Sequence, residues 1–345
     1  MLRLAAGSAA GLSLASLLAG RKVKAESLPW QTEDSHSHSP VSLDVSWLLS
    51  SKGEVRPEAV AQRKVLLLAY PRTGSTLLGE LLAAQPDTSY FMEPLFGLMP
   101  VGQLDWDYVL EDKIETGQVP LEAVTALMGG LYRCEETVTA RLEEWSQAPH
   151  TSVTAAPATV CRDSAILLAK TVRLHGARLE DLANKVPDLQ VVHIVRDPRG
   201  VSASLQAQQE EWGGRTGQTY CQQVWADMAL GEQLGPDRYI RVRYEDLAED
   251  PLAVLQRIGT FTGVPLTQEV REAVAERMGG KVRRSGRTEN TLAATNSTDY
   301  YSTVRPPGHR HDAWRNKLTH HQLESLECGV CGELMEKLGY NKILK

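Results

Sequence analysis

Residues 65–76 read VLLLAYPRTGST, an apolar run that breaks into Pro71, Arg72, Thr73, Gly74, Ser75 and Thr76. The run at 65–70 predicts a buried strand, and TLLGELLAA at 76–84 predicts the helix that follows it. A helix N-terminus presents free backbone N–H groups and the positive end of its dipole, so this turn is an anion site. Gly74 lets the backbone approach the anion closely. Arg72 adds charge, and Thr73, Ser75 and Thr76 add hydroxyl donors.

A second arginine stands in a similar place. Residues 191–205 read VVHIVRDPRGVSASL, a strand that ends at Val195 with Arg196 directly after it. Pro198 suits the first turn of a helix. Ser204 lies eight residues beyond Arg196, on that helix. An arginine at a strand end and a serine on the next helix form a second anion grip. The plain alternatives are an ion pair of Arg196 with Asp197 and a surface serine.

The anion is not held as in a triphosphate P-loop. That pattern needs a glycine, four free positions and then Gly-Lys-Ser/Thr. Here position 69 is alanine and Gly74 is followed by Ser75, so the pattern fails at both ends. The segment VVHIVRD still keeps a kinase or NTPase open as a rival, with Asp197 as a metal-binding aspartate.

Both arginines need a scaffold. Strand-like runs occur at 65–70, 166–172, 191–195 and 239–243. Helical patterns lie at 76–84, 120–132, 179–184, 198–209, 219–234, 251–261, 267–278 and 318–338. Alternation of this kind predicts an α/β fold, a parallel sheet with helices on both faces. Ligands of such sheets bind beyond the carboxyl ends of the strands, which is where Arg72 and Arg196 lie. The 345 residues, 42% hydrophobic and 23% charged, suffice for one large domain. A net charge of −6 gives no nucleic-acid signature.

Residues 4–20 carry no charge, with Arg3 before them and Arg21, Lys22 and Lys24 after them. The segment is short and weakly apolar for a membrane span. A type II signal anchor, a cleaved signal peptide and a transit peptide all fit, although the stronger basic flank on the far side argues against type II orientation. Residues 1–24 are read as this targeting segment, 25–60 as a stem, and 61–345 as the catalytic domain. The HSHS run at 36–39 could bind metal, but is read as part of a solvated linker. The sequon Asn296-Ser297-Thr298 favours secretory exposure.

Five cysteines occur, at 134, 161, 221, 328 and 331. The number suits a lumenal protein with two bridges and one spare thiol. Cys328 and Cys331 form a CxxC with no second pair to complete a zinc site.

With these motifs in place, the chain resembles a known family. YPRTGSTLL looks like the 5′-phosphosulfate loop of sulfotransferases, and VRDPRGVSASL like their 3′-phosphate motif. Arg-Thr-Gly-Ser followed by YFMEPL, LYRC, LAKTVRL, VRDPRG, RYEDL and a C-terminal TVR…WR resembles the Golgi carbohydrate 6-O-sulfotransferases, the galactose, N-acetylglucosamine and chondroitin branch. The resemblance runs from about 63 to 341. It implies a P-loop-like sulfotransferase fold and 3′-phosphoadenosine-5′-phosphosulfate as co-substrate, with no metal required. It also implies a glycan or proteoglycan acceptor, and a single-pass type II Golgi membrane protein with a lumenal catalytic domain, or a secreted form after cleavage.

The roles follow residue by residue. Arg72 would neutralise charge on the bridging oxygen as the phosphate leaves. Thr73, Gly74, Ser75, Thr76 and Leu77 would hold the 5′-phosphosulfate, through backbone N–H groups and the three hydroxyls. Arg196 and Ser204 would hold the 3′-phosphate, with Ser302 and Arg305 closing over it. Tyr244 would touch the nucleoside, or else pack at a helix start. Glu93, in YFMEPLF, is the candidate base, and resembles the base of the tyrosylprotein branch in its distance from the loop arginine. A base of that kind needs a pKa raised by desolvation. Lys170, in LAKTVRL, is a second cation for the sulfonate, and Arg173 serves donor or acceptor binding. Trp314 and Arg315 are expected to pack the C-terminal segment down. His309 and His311 could ligate a metal, but are read as surface histidines. The KVRRSGR run at 281–287 binds an anionic glycan or is a solvated loop. The resemblance pairs Cys221 with Cys331, which stands nine residues before Tyr340, and Cys134 with Cys161, leaving Cys328 free.

Two rivals stay open. A tyrosylprotein sulfotransferase shares the loop arginine and the glutamate. A silent glycan-binding protein would keep the fold without turnover.

Overall fold

A computed structural model describes residues 46–50, 62–98, 121–147, 153–206, 217–278 and 311–344. Five strands form its sheet: β1 Arg63–Leu68, β2 Thr88–Met92, β3 Ile166–Thr171, β4 Leu189–Val195 and β5 Tyr239–Arg243. Their order is β2-β3-β1-β4-β5, and every pair is parallel. β1 is therefore central, the next two strands lie on one side of it, and the last two on the other. The order reverses between β1 and β4, and a crevice opens at such a switch point beyond the strand ends.

Alternation along β1 sends its side chains into two cores. Leu66 and Leu68 join Leu167, Ala169 and Val191 beneath helices Leu121–Tyr132 and Ala177–Lys185. Val65 and Leu67 join Leu168, Val192 and Val242 beneath helices Ser75–Ala83, Pro251–Thr262 and Gln268–Arg277. Strands buried on both faces read as unbroken apolar runs, which is why β1, β3 and β4 are plain in the sequence. A third cluster packs helix Gly217–Leu234 against Gly329–Leu338 around Tyr70, Val195 and Tyr340.

Several elements differ from the sequence expectation. β1 begins and ends two residues earlier, leaving Ala69 and Tyr70 to lead into the turn. Helices Glu136–Ser146 and Ala158–Asp163 have no counterpart in the reading. The single helix expected at 318–338 is two, His320–Glu327 and Gly329–Leu338. Extended backbone at Cys328 and a left-handed Gly329, at φ 55°, break it. Part of the presumed stem belongs to the body: Ser46–Ser50 is a helical turn whose Leu48 is buried in the first core. Trp47 packs edge-on against Trp145.

Both bridges are formed, Cys134 to Cys161 and Cys221 to Cys331, and Cys328 is an exposed free thiol. No helix among the described residues is long and apolar enough to cross a membrane. The segments 4–20 and 281–287, the HSHS run, the sequon at 296–298, Ser302, Arg305 and His309 lie outside the described residues.

Candidate active site

The turn after β1 is held by its own threonine. Thr73 donates from its hydroxyl to the Tyr70 carbonyl at 2.7 Å, and its amide points to the same oxygen. Thr73 is buried, and its hydroxyl closes the loop. Arg72 (φ 67°) and Gly74 (φ 85°) both adopt the left-handed conformation that turns the chain into helix Ser75–Ala83. No side chain caps that helix. The N–H groups of Ser75, Thr76 and Leu77 thus stand ready for an anion. Leu77 contributes only its backbone, since its side chain lies in the second core.

The two predicted anion grips meet. Arg72 Nε donates to Ser204 Oγ at 2.9 Å, and Arg196 Nη1 donates to the Arg72 carbonyl at 2.7 Å. Arg196 does not pair with Asp197. That carboxylate binds Nε and Nη2 of Arg199 instead, whose Nη1 donates to both Glu327 and the Asn341 carbonyl. The second arginine of VRDPRG is therefore a structural tie to the C-terminal segment, with Trp314 packed against its guanidinium. Arg196 Nε is buried without a hydrogen-bond partner among the described residues.

Tyr244 lies beneath this group. Its ring is 4.5 Å from the Arg196 guanidinium, and a Cβ on Gly74 would stand 2.3 Å from its Cδ2. Gly74 is thus required twice, for its left-handed backbone and for the space the tyrosine fills. Tyr244 is buried at the start of helix Tyr244–Glu249, in the packed arrangement that the sequence left open.

Glu93 follows β2 and is also left-handed, at φ 50°. Its amide donates to the Lys170 carbonyl at 2.7 Å, continuing the parallel pairing of Met92 with Lys170. That register brings the side chains together: Lys170 Nζ lies 2.5 Å from Oε1, and Arg173 Nη1 binds Oε2. The Thr171 hydroxyl and the Val172 amide also point to Oε2. All three ionic groups are buried.

The expected pKa of Glu93 is overturned by this setting. Burial pushes the carboxyl up, but Lys170 and Arg173 more than offset it, and Glu93 lies below the ordinary carboxylate value. Lys170, expected as a second cation for the sulfonate, is held by Glu93. Arg173, expected to serve donor or acceptor binding, is the second member of the clamp. Its signal was its position three residues after Lys170 at the same strand end.

An apolar hollow lined by Leu81, Leu255, Ile258 and Val270 carries no charged side chain. The convergent cations and free N–H groups lie instead past β1, β3 and β4.

The sulfotransferase family model matches residues 65–268, spanning both arginine motifs and the Glu93 clamp. The chain belongs to the sulfotransferase family. It is 28% identical over 341 residues to carbohydrate sulfotransferase 3 of Mus musculus, covering 82% of this chain and 69% of that one. It is 24% identical to carbohydrate sulfotransferase 1 of Danio rerio, covering 81% and 78%. Among solved structures, retinol dehydratase in complex with retinol and PAP matches with a TM-score of 0.45 at 15% identity, covering 83% and 84%.

This sulfotransferase also has buried polar residues that motif reading missed. Asp227 is fully buried in helix Gly217–Leu234 and binds both Tyr70 and His175. A signal did exist: Asp227 lies on the helix face marked by Tyr220, Val224 and Met228, where a carboxylate needs partners.

Proposed function

We propose that this enzyme transfers sulfonate from 3′-phosphoadenosine-5′-phosphosulfate to a sugar hydroxyl, at carbon 6 of galactose, N-acetylglucosamine or N-acetylgalactosamine. The observation that carries the reading is the meeting of Arg72, Ser204 and Arg196 at the switch point, one strand away from the Glu93 clamp. Relatives named carbohydrate sulfotransferases support the sugar.

The residues fit the donor. Free N–H groups at 75–77, the Ser75 and Thr76 hydroxyls and two arginines suit a molecule with anionic groups at two places. When bound, the donor supplies a sulfonate on a phosphate leaving group. The Ser75–Leu77 amides bind the 5′ end, and Arg72 stabilises charge on the departing phosphate oxygen. Arg196 and Ser204 hold the 3′-phosphate, with Ser302 and Arg305 assigned to the same group. Glu93 accepts the proton of the attacking hydroxyl as its oxygen bonds to sulfur and the sulfur–phosphate oxygen bond breaks. Glu93 is ionised at neutral pH, as a base must be. Movement of Lys170 away from Oε1 raises its proton affinity and frees that oxygen for the acceptor.

The test is incubation with labelled donor, a panel of defined glycans and a tyrosine peptide, read by mass spectrometry. Sulfonate at carbon 6 of a sugar is expected. Transfer to the peptide alone, or nucleotide binding without any transfer, overturns the reading.

We assign the enzyme to the Golgi lumen, anchored through residues 4–20. Two disulfides suit an oxidising compartment. Protease protection in intact microsomes, with N-terminal sequencing, tests the topology and separates an anchor from a cleaved peptide.

A further inference from the structure

Behind the active site lies a buried polar chain that reaches both of its halves. Asp227 Oδ2 accepts from the Tyr70 hydroxyl at 2.8 Å and from His175 Nδ1 at 2.8 Å. Its Oδ1 accepts from the Gly176 amide at 2.8 Å. Tyr70 and His175 also stack, with ring centroids 4.7 Å apart and nearly parallel planes.

Each partner of Asp227 belongs to a different functional segment. The Tyr70 carbonyl is the acceptor that closes the donor loop through Thr73. On the other side, His175 Nε2 lies 2.9 Å from the Val172 carbonyl oxygen. Val172 and its neighbours Thr171 and Arg173 are the residues that surround Glu93 Oε2. Gly176, at φ 55° and ψ −128°, turns this strap into helix Ala177–Lys185. No side-chain contact requires a glycine there, since a Cβ would meet nothing within 4 Å. The backbone shape is what needs it.

The remaining hydrogen bonds fix the orientation of the chain. The Tyr70 hydroxyl hydrogen goes to Asp227, so its oxygen accepts from His193 Nε2 at 3.0 Å. His193 Nδ1 then accepts from the Tyr239 hydroxyl at 2.7 Å. A fully satisfied buried network of this kind has one arrangement and resists partial change.

We infer that Asp227 is a positioning residue that couples the donor loop to the Glu93 clamp, with Tyr70 as its link to the loop and His175 as its link to the strap at 171–176. The carboxylate itself touches no substrate. It sets the loop that holds the donor and the strap that holds the base in one mutual register, so that loosening one loosens the other. The inference rests on the proposed roles of the loop and of Glu93, but the coupling is a property of the chain alone.

Coupling requires a cross-effect rather than mere adjacency. Two variants cut the chain at opposite ends. Tyr70→Phe removes one hydroxyl. His175→Asn keeps a donor toward Asp227 and removes the contact with the Val172 carbonyl. Tyr132→Phe is the control: its hydroxyl is equally buried and donates to the Val65 carbonyl at 3.0 Å, outside the network. Amide hydrogen exchange is measured on each full-length protein, together with affinity for 3′-phosphoadenosine 5′-phosphate and kcat on the best glycan acceptor.

Tyr70→Phe is expected to weaken nucleotide binding about three- to tenfold and to speed exchange of the 172–176 amides at least fivefold. His175→Asn is expected to lower kcat about tenfold or more and to speed exchange at 72–76. Asp227→Asn should combine both patterns, and decides the matter if Tyr70→Phe does not fold. Tyr132→Phe should change none of these readings. Unchanged exchange at 172–176 in Tyr70→Phe, or equal acceleration in the control, overturns the coupling. If the parent enzyme transfers no sulfonate to sugar, the functional reading fails while the exchange experiment still decides this one.

Discussion

Arg72 donates to Ser204 across the crevice at 2.9 Å, although the two residues are 132 positions apart and were assigned to opposite ends of the donor. The bond joins the loop after β1 to helix Pro198–Gln206, whose strand is the neighbour of β1. The arginine that should stabilise the leaving group is thereby oriented by the serine that should hold the far phosphate. Arg196 reinforces the join from the other side by donating to the Arg72 carbonyl.

Ser204→Ala should therefore injure more than one function. A hydrogen bond to a charged group is worth roughly 1.5–3 kcal/mol, so donor affinity should fall about tenfold to a hundredfold. Because Arg72 also loses its orienting partner, kcat should fall as well. Isothermal titration with the product nucleotide and steady-state kinetics separate these effects. A change in donor KM with kcat untouched would show that the Arg72–Ser204 bond does not orient the arginine.

Glu93 requires a conservative substitution. Its removal leaves Lys170 and Arg173 as buried charges without their shared partner, and breaking one side of a buried ion pair costs about 3–5 kcal/mol. Glu93→Ala would lose activity and stability together and distinguish nothing. Glu93→Asp keeps the charge and shortens its reach. It should unfold within a few degrees of the parent while kcat falls by about 10²–10⁴, the usual contribution of a general base. Retained turnover in a folded Glu93→Asp protein would confine Glu93 to a structural role.

Much of this was legible because parallel strands buried on both faces leave continuous apolar runs with chemistry at their ends. β1, β3 and β4 carry the arginines and the lysine in that way. The edge strand β2, only half buried, has no such run, yet its register decides that Glu93 meets Lys170. Pairing between residues 77 apart is a tertiary fact, and without it the sign of the Glu93 pKa shift came out reversed. Helix Glu136–Ser146 was missed because it buries little: Val138, Thr139 and Leu142 are its buried residues among many charges. The break at Cys328 was hidden because apolar spacing continues through it from Leu326 to Val330 and Leu334.

Acid should destabilise the fold through two groups whose windows begin at different pH and overlap below about pH 4.3. Burial pushes the His193 imidazole down to about 3, with Asp227 pulling the other way. Its unfolded value is about 6.5, so between these limits the unfolded chain binds a proton that the folded chain does not. Stability then falls as pH drops below about 6.5, by roughly 1.4 kcal/mol per pH unit from this group. Glu93 has the opposite charge type and a lowered pKa. Its contribution is fully present above the unfolded carboxylate value of about 4.3 and is lost as pH falls through the folded value. Urea unfolding between pH 7 and pH 5 should show the first window alone, and His193→Gln should flatten it. An equal slope in parent and variant would mean that His193 is not held neutral.

Gly74 offers a test of loop geometry that separates two causes. Gly74→Ala places a Cβ 2.3 Å from Tyr244 Cδ2 and forces a left-handed alanine at φ 85°. The backbone strain alone amounts to about 1–2 kcal/mol. The clash must be relieved by moving the tyrosine, which lies under the Arg196 guanidinium, or by moving the loop that presents the Ser75–Leu77 amides. Either movement spoils the anion site. Gly235→Ala is the matched control, since Gly235 is left-handed at φ 81° and a Cβ there meets nothing within 4 Å. Both variants should lose the stability that the backbone strain costs, and Gly74→Ala more because of the clash, but only Gly74→Ala should lose nucleotide affinity, by more than tenfold in calorimetry. Comparable affinity in the two would show that the loop tolerates displacement of Tyr244. The anion grip would then depend on side-chain charge rather than on the shape of the turn.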